Sequence, residues 1–360
     1  MCTAPDTVAF QPAPATGGEQ DAGYLCSWNL LIRVISRRMA PSDIIRTESL
    51  SRRFTSRRGT VLAVAGIDLQ VSEGEIYGFL GPNGAGKTTT LRMLATLLPP
   101  SGGTAIVAGA DLLREPALVR ERIGYVSQAG SSFPDVVGRD ELVLQGRLYG
   151  MPKADAKRRA TQLLNDLDLA EFGDRPTKTY SGGQRRRLDI GIGLMHLPKL
   201  LFLDEPTTGL DPQSRARMWD EVRKLRAHGT TVFLTTHYLE EADALCDRVA
   251  IMDHGKVSVV GTPVELKKQV AGDVVLVSVE GPTAIARTLL AEQRFVRKAE
   301  EEGSSVRLYV ENGPTDMPAI LRLLDGAGLV IRELSMSRPS LDDVFLIQTG
   351  RSLRDENGQG

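Results

Sequence analysis

The residues best suited to chemistry in this chain form a glycine-rich loop, Gly81–Thr88, with the sequence GPNGAGKT. A run with strand character, Glu75–Leu80, precedes the loop, and a run with helical spacing, Thr88–Leu98, follows it. Glycines let successive backbone N–H groups point at phosphate oxygens, and the helix adds the positive end of its dipole. An ordinary glycine-rich turn is the alternative, but the strand and helix on either side favour a phosphate-binding loop.

Two residues at the end of this loop predict its ligand, a nucleotide with Mg²⁺. Lys87 is placed to reach the β- and γ-phosphates, and the Thr88 hydroxyl can ligate Mg²⁺. We expect nine consecutive residues to bind the nucleotide: Gly81, Pro82, Asn83, Gly84, Ala85, Gly86, Lys87, Thr88 and Thr89.

A pair of acids follows a short apolar run, Leu200–Leu203. Such a run is typical of a strand buried on both faces of a parallel sheet, and ligands bind at the carboxyl ends of such strands. We therefore predict that Asp204 holds the Mg²⁺ shell through water and that Glu205 polarises the attacking water as general base. Taken alone, the pair could equally be solvated acids at a strand end.

Three further segments carry polar residues at the ends of predicted elements. Ser181 caps a helix in Tyr180–Arg187, where a glycine pair forms a second potential anion site without a lysine. Gln128 follows the strand-like run Ile123–Ser127. His237 follows a predicted strand; by itself it would be structural, but beside the other motifs we interpret it as functional.

Composition limits the classes of protein that could carry these motifs. The chain has 360 residues, with 44 Lys and Arg against 45 Asp and Glu, and a formal net charge of -1. This balance disfavours a strongly basic nucleic-acid binder. Three cysteines without metal spacing suggest a reducing compartment. No apolar run reaches the ~18 residues of a membrane span, so any work at a membrane needs a partner.

The elements that must position these residues alternate between strand and helix, which predicts an α/β fold. From Val274 onward the order becomes β-α-β-β-α-β, the split βαβ arrangement of a small ferredoxin-like α+β domain, and a short helix, Leu341–Thr349, follows it. The first residues lack any period, and Met39 is a candidate natural start. We predict a disordered extension, a nucleotide-binding domain, an accessory domain and a flexible tail at residues 1–43, 44–271, 272–349 and 350–360.

Together these motifs resemble the ATPase cassette of ABC transporters over about Ile44 to Val270. The Gly81–Thr88 loop is similar to Walker A and Leu200–Glu205 to Walker B. The family signature is Ser181-Gly182-Gly183-Gln184, here after Tyr180 instead of the usual leucine. The resemblance implies a P-loop fold with a helical subdomain.

The resemblance also implies roles for individual residues. Gln128 would link Mg²⁺ and the attacking water to the helical subdomain, and His237 would contact the γ-phosphate. Phe54 would stack on adenine, and Asp211 belongs to the segment called the D-loop. Such cassettes form head-to-tail homodimers, so Ser181 and Gly183 would complete the ATP site of the second copy. Arg185–Arg187 would then be a charged helix face packing near the signature.

The end of the chain, Ser340–Phe345, resembles the C-terminal extension of daunorubicin-resistance-type exporter ATPases. This implies a separately encoded transmembrane permease, a peripheral position on the cytoplasmic face of the cell membrane, and export of a drug or other hydrophobic compound. Lipid, polysaccharide or ion cargo stays open. A soluble ABC ATPase acting on ribosomes or nucleic acid is the alternative function, although the single cassette without a coiled-coil insertion disfavours it. The accessory domain could serve folding or dimer stability alone.

Overall fold

The structure, a computed structural model, describes residues 43–57, 59–270 and 272–350. The predicted disordered extension, Met39 and the tail after Gly350 lie outside these residues. Asp43, which we predicted to belong to the extension, is instead the first residue of strand β1 (Asp43–Ser56), because it pairs with Ser72.

A six-stranded sheet in the order β10-β9-β3-β8-β7-β6 forms the centre of the predicted nucleotide-binding domain. All neighbours are parallel except β9 and β10, which form an antiparallel pair. Every residue of β3, β7 and β8 is buried, which explains their continuous apolar runs. The strands are β3 Ile76–Leu80, β6 Ile123–Val126, β7 Leu200–Asp204, β8 Thr231–Thr236, β9 Arg248–Asp253 and β10 Lys256–Gly261.

A second, antiparallel sheet has the order β2-β1-β4-β5 and packs on one side of the central sheet. Buried and more exposed residues alternate in the second half of β2, as expected of a strand with one face in the core. Aromatic side chains of the central sheet, including Phe202 and Phe233, share a core with this sheet. The strands are β1 Asp43–Ser56, β2 Gly59–Ser72, β4 Gly102–Val107 and β5 Ala110–Asp111.

The helix after the phosphate loop, α1, spans Lys87–Leu94 and is shorter than the predicted Thr88–Leu98. It ends early because Thr96 adopts a left-handed conformation (φ 61°) and the next two N–H groups turn back to the Arg92 carbonyl. α2 follows as Pro116–Arg122.

Helices α3 (Gly138–Leu148), α4 (Lys153–Asp166) and α5 (Gly182–Leu194) form a helical subdomain. Gly150 (φ 82°) lies in the turn that separates α3 from α4. Buried leucines of this subdomain share a core with the other side of the central sheet. The remaining helices of the nucleotide-binding domain are α6 Pro212–Ala227, α7 Leu239–Leu245 and α8 Pro263–Gln269.

The C-terminal elements confirm the β-α-β-β-α-β order. Their four strands form one antiparallel sheet, ordered β12-β13-β11-β14, with its own apolar core. The elements are β11 Asp273–Val279, α9 Thr283–Ala291, β12 Val296–Glu302, β13 Ser305–Val310, α10 Gly313–Gly326 and β14 Ile331–Ser337.

The last helix, α11, spans Leu341–Thr349 as predicted and packs against α8 and α7 of the nucleotide-binding domain. Its Asp343 is 2% exposed and accepts hydrogen bonds from Arg307 (2.9 Å) and Tyr309 (3.1 Å) of β13. These bonds join the accessory sheet to a helix whose apolar side chains lie in the core of the preceding domain. A domain boundary between residues 271 and 272 stays a prediction.

Candidate functional site

The phosphate loop follows β3 and begins α1, and its backbone leaves no room for side chains at two glycines. A Cβ on Gly81 would collide with the carbonyl oxygen of Met252. Gly86 has a φ of +106°, and a Cβ there would collide with the carbonyl oxygen of Ala63. These contacts explain why the loop needs glycine at both positions.

Lys87 lies within the loop and is 3% exposed. Its Nζ donates to the carbonyls of Gly81 (2.7 Å) and Pro82 (3.0 Å) and lies 3.8 Å from Glu205 Oε1. Burial lowers the pKa of Lys87, while the charges of Glu205 and Asp204 act in the opposite direction. The ammonium is therefore held between the loop and the acidic pair.

Asp204 ends β7 and faces the loop. Its Oδ1 accepts from Thr88 Oγ1 (2.9 Å) and from Thr235 Oγ1 (2.7 Å), whereas its buried Oδ2 has no hydrogen-bond partner among the described residues. A buried carboxylate oxygen left free beside a hydroxyl fits a Mg²⁺ shell. The described residues hold no cluster of three or more His, Cys, Asp or Glu that could bind a metal.

Glu205 occupies a strained backbone position with a φ of 45°. Three groups surround its Oε2: Gln128 Nε2 at 3.0 Å, Thr208 Oγ1 at 3.1 Å and His237 Nδ1 at 3.2 Å. Burial raises the pKa of Glu205, but His237, Lys87 and Thr208 together bring it below its ordinary value. The site therefore contains an ionised, oriented carboxylate.

The signature residues lie apart from this cluster, at the beginning of α5. Ser181 caps the helix as predicted, since its Oγ accepts from Gln184 N while the Gln184 side chain accepts from Ser181 N. Asp211 caps α6, since its carboxylate accepts from the N–H and the Oγ of Ser214, whose Oγ lies against Gly183. Ser181 and Asp211 are exposed, so a second polar surface contains them.

Phe54 lies on β1 opposite Val61 and is 40% exposed. The guanidinium of Arg52 stands 4.7 Å from the centre of its ring. Ala63, two residues after Val61 on β2, packs against Gly86. The β1–β2 pair therefore borders the phosphate loop. Phe54 itself is outside the cluster around Glu205.

Sequence reasoning missed several polar residues of the site and misread one. Thr208 and Thr235 position the two acids, but isolated threonines carry no recognisable pattern. Arg186 was interpreted as part of a charged helix face; it is 7% exposed and donates to backbone carbonyls beside Asp204 and Gln128. Because three arginines are consecutive, the sequence does not indicate which of them is buried.

Known proteins resemble this chain over most of its length. Residues 64–208 match the family described as ABC transporter, and residues 261–349 match the ATP-binding protein DrrA1-3-like C-terminal domain. Over 316 residues the chain is 44% identical to the daunorubicin resistance ATP-binding protein DrrA2 of Streptomyces coeruleorubidus, covering 87% of this chain and 96% of the relative. The chain belongs to the family of ABC transporter ATP-binding subunits. This ABC subunit is also 41% identical over 304 residues to the doxorubicin resistance ATP-binding protein DrrA of Mycobacterium tuberculosis, covering 82% and 91% of the two chains.

Solved structures support the same fold. The ABC subunit resembles cbiO1 from Clostridium perfringens with a TM-score of 0.57 and 28% identity, over 63% of this chain and 91% of the other. The dimeric cassette MJ0796 bound to ADP and Pi has a TM-score of 0.56 and 23% identity, over 61% of this chain and 98% of the other. At this identity the likeness supports the fold alone. The predicted P-loop cassette fold is confirmed, and the protein is an ATP-hydrolysing subunit that energises a membrane exporter. In the part of the chain that the structure describes, no helix has the length and apolar character of a membrane span.

Proposed function

We propose that Glu205 is the general base of ATP hydrolysis in this subunit, and that two copies of the chain together form each complete ATP site. The observation that carries the first part is the convergence of Gln128, Thr208 and His237 on one oxygen of Glu205. Such convergence holds a carboxylate ionised and oriented, which a base for water needs at neutral pH.

The chemistry follows from the atoms around the loop. A water near Glu205 gives its proton to the carboxylate as its oxygen attacks the γ-phosphorus, and the bond to the β,γ-bridging oxygen breaks. Lys87 and the loop N–H groups offset negative charge on the phosphates, and His237 and Gln128 orient the reacting groups. Mg²⁺, held by Thr88 and by Asp204 through water, would supply further charge neutralisation.

The second surface supports a dimer. Exposed Ser181 and Asp211 and half-buried Gly183 form a polar group at two helix N-termini, yet they make no hydrogen bond or ion pair to Lys87 or Glu205 among the described residues. Helix N-termini favour phosphate, so this group suits the ATP that is held by a second chain. Phe54 is proposed to stack on the adenine of the ATP bound by its own chain.

A cavity of about 250 Å³ beside the Gln128 segment is our proposed docking site for the permease, which we expect to be encoded separately. Exposed Phe133, Leu144 and Tyr149 line it, together with His196, whose ring stacks on Tyr149 at 3.8 Å. An apolar groove bordered by both the helical subdomain and the Gln128 segment suits a partner whose movement must reach the ATP site. The subunit would then be peripheral, on the cytoplasmic face of the membrane.

The cargo is proposed from relatives. The names of the similar proteins refer to daunorubicin and doxorubicin, and, at 33% identity, to linearmycin. At 38% identity, other relatives are named for Nod factor export. We propose a drug or other hydrophobic compound as cargo; lipid, polysaccharide and ion remain as outcomes of the test below.

The experiment compares membranes from source cells that produce the chain with membranes from cells that lack it. Affinity purification from detergent extracts should recover a polytopic membrane protein, and inside-out vesicles should accumulate daunorubicin in an ATP-dependent manner. Vesicles with the Glu205→Gln chain are the matched control and should not accumulate it. Recovery of ribosomes instead of a membrane protein would contradict the proposal. ATP-dependent uptake of labelled lipid, polysaccharide or ion but not of daunorubicin would replace the cargo only.

A further inference from the structure

Two buried charged residues of α5, Arg186 and Asp189, contact the backbone on both sides of the residues proposed for catalysis. Arg186 is 7% exposed and Asp189 is 2% exposed. Neither has an ion pair within 4 Å among the described residues, and both hydrogen bond to backbone groups. A charge is costly to bury, and hydrogen bonds from buried charges to chosen backbone groups indicate a specific positional task.

Arg186 uses all three of its nitrogens. Nε donates to the Pro206 carbonyl (2.9 Å), Nη2 to the Asp204 carbonyl (2.8 Å) and Nη1 to the Ser127 carbonyl (2.5 Å). The first two acceptors are the residues immediately after and before Glu205. The third is the residue immediately before Gln128.

Asp189 lies one turn further along the same helix and fixes the other side of Gln128. Its Oδ1 accepts from the N–H groups of Ser131 (2.8 Å) and Ser132 (3.0 Å). Gly130, between these residues and Gln128, has a φ of +84°, and a Cβ there would lie 2.9 Å from Asp189 Oδ2. The turn that carries Gln128 is thus held closely against α5.

We infer that Arg186 and Asp189 are positioning residues that join the signature at the beginning of α5 to Gln128 and Glu205 of the same chain. The inference rests on the proposed function, because it takes Glu205 and Gln128 as the acting groups. Gln128 Nε2 and Glu205 Oε2 are 3.0 Å apart, at the ends of the paired strands β6 and β7, and beyond this pairing Arg186 of α5 hydrogen bonds to both segments. A shift of α5, when its signature contacts the ATP of the second copy, therefore moves both side chains together. ATP bound at one site of the dimer would thereby change the positions of Gln128 and Glu205 at the other site.

The test compares Arg186→Lys with Arg187→Lys. Lysine keeps the charge but cannot bond three carbonyls in the planar geometry of a guanidinium. Arg187 is the matched control, because it lies on the same helix and donates to a backbone carbonyl, that of Leu167 (2.8 Å), away from the site. We expect Arg186→Lys to lower kcat about tenfold or more with the ATP dissociation constant within about twofold, since misplacement of reacting groups by ~1 Å is that costly. Arg187→Lys should leave both values within about twofold.

A second comparison separates positioning from general loss of structure. In a Glu205→Gln background, Arg186→Lys should lower the residual rate by a smaller factor than in the wild-type background, because part of its effect acts through Glu205. Equal loss in both backgrounds, or a wild-type kcat for Arg186→Lys, overturns the inference. If Arg186→Lys does not fold, two variants of Asp189 replace it. Asp189→Ala should lower kcat, whereas Asp189→Asn, which keeps the acceptor oxygen, should not. Equal kcat values for these two variants overturn the inference. Normal hydrolysis by Glu205→Gln would contradict the proposed base instead, so the two failures are distinguishable.

Discussion

Replacing Glu205 with glutamine should abolish turnover while leaving the ATP site assembled. Glutamine has nearly the same shape, so its single oxygen can still accept from Gln128 and Thr208 at the Oε2 position. It cannot accept a proton from water at neutral pH, and general base catalysis is worth about 10²–10⁴-fold. The expected loss in kcat corresponds to about 2.7–5.5 kcal/mol in activation free energy.

The same substitution has a calculable effect on stability. Lys87 Nζ and Glu205 Oε1 are 3.8 Å apart, which gives an attraction on the order of 4 kcal/mol at an effective dielectric constant of ~20. The cost of burying both charges offsets most of this attraction. Lys87 also keeps two carbonyl acceptors, so we expect a loss of only about 1–3 kcal/mol in the free energy of unfolding. A domain of ordinary stability stays folded after that loss.

The assay measures phosphate release and ATP binding on the same preparations. The ATP dissociation constant of Glu205→Gln should be equal to or lower than that of the wild type, because a negative charge beside a polyanion is removed. Glu171→Gln, the same change at an exposed position, is the control and should leave kcat unchanged. A kcat of Glu205→Gln within about tenfold of wild type would refute the role of this carboxylate.

Three other variants or conditions test separate parts of the site and fold. Lys87→Ala should raise the ATP dissociation constant by about 100-fold, since a buried cation on the phosphates is removed; unchanged affinity in titration calorimetry would contradict the loop assignment. Asp343→Ala should destabilise the protein by about 3 kcal/mol in denaturant unfolding, because it leaves an arginine and a tyrosine of β13 without this acceptor, whereas exposed Asp325→Ala should not. The pKa of Glu205 is lowered in the folded state, so its stabilisation is complete above the ordinary pKa of about 4.5 and is lost as pH falls through the lower, folded value. The stability difference between wild type and Glu205→Gln should therefore be constant from about pH 8 to 5 and shrink below; a difference that grows on acidification would be inconsistent with this pKa direction.

How much the sequence predicts depends on how local the determining contacts are. The phosphate loop, the buried strand before Asp204 and the Ser181 cap were predictable, because each depends on neighbours within a few residues. The meeting of Gln128 with Glu205 follows from parallel strand order, which the motif order implies only through the family resemblance. The end of α1 was wrong because the left-handed turn at Thr96 depends on tertiary context.

The burial of Arg186 could not be predicted, because its acceptors are backbone carbonyls from two distant segments. Every residue has a backbone carbonyl, so the sequence shows no acidic partner that would indicate where the guanidinium binds. The strained φ of Glu205 could not be predicted either, because the surrounding strands impose that backbone conformation on the glutamate.

Mixing two inactive variants tests the composite dimer site most directly. Ser181→Asp keeps a good helix cap but places a negative charge where the second chain's phosphate would lie. Glu205→Gln and Ser181→Asp should each be inactive alone. In a random mixture half of the dimers are heterodimers, each with one intact site of two, so about a quarter of wild-type turnover should return. A mixture that hydrolyses ATP no faster than its two inactive components would contradict the account.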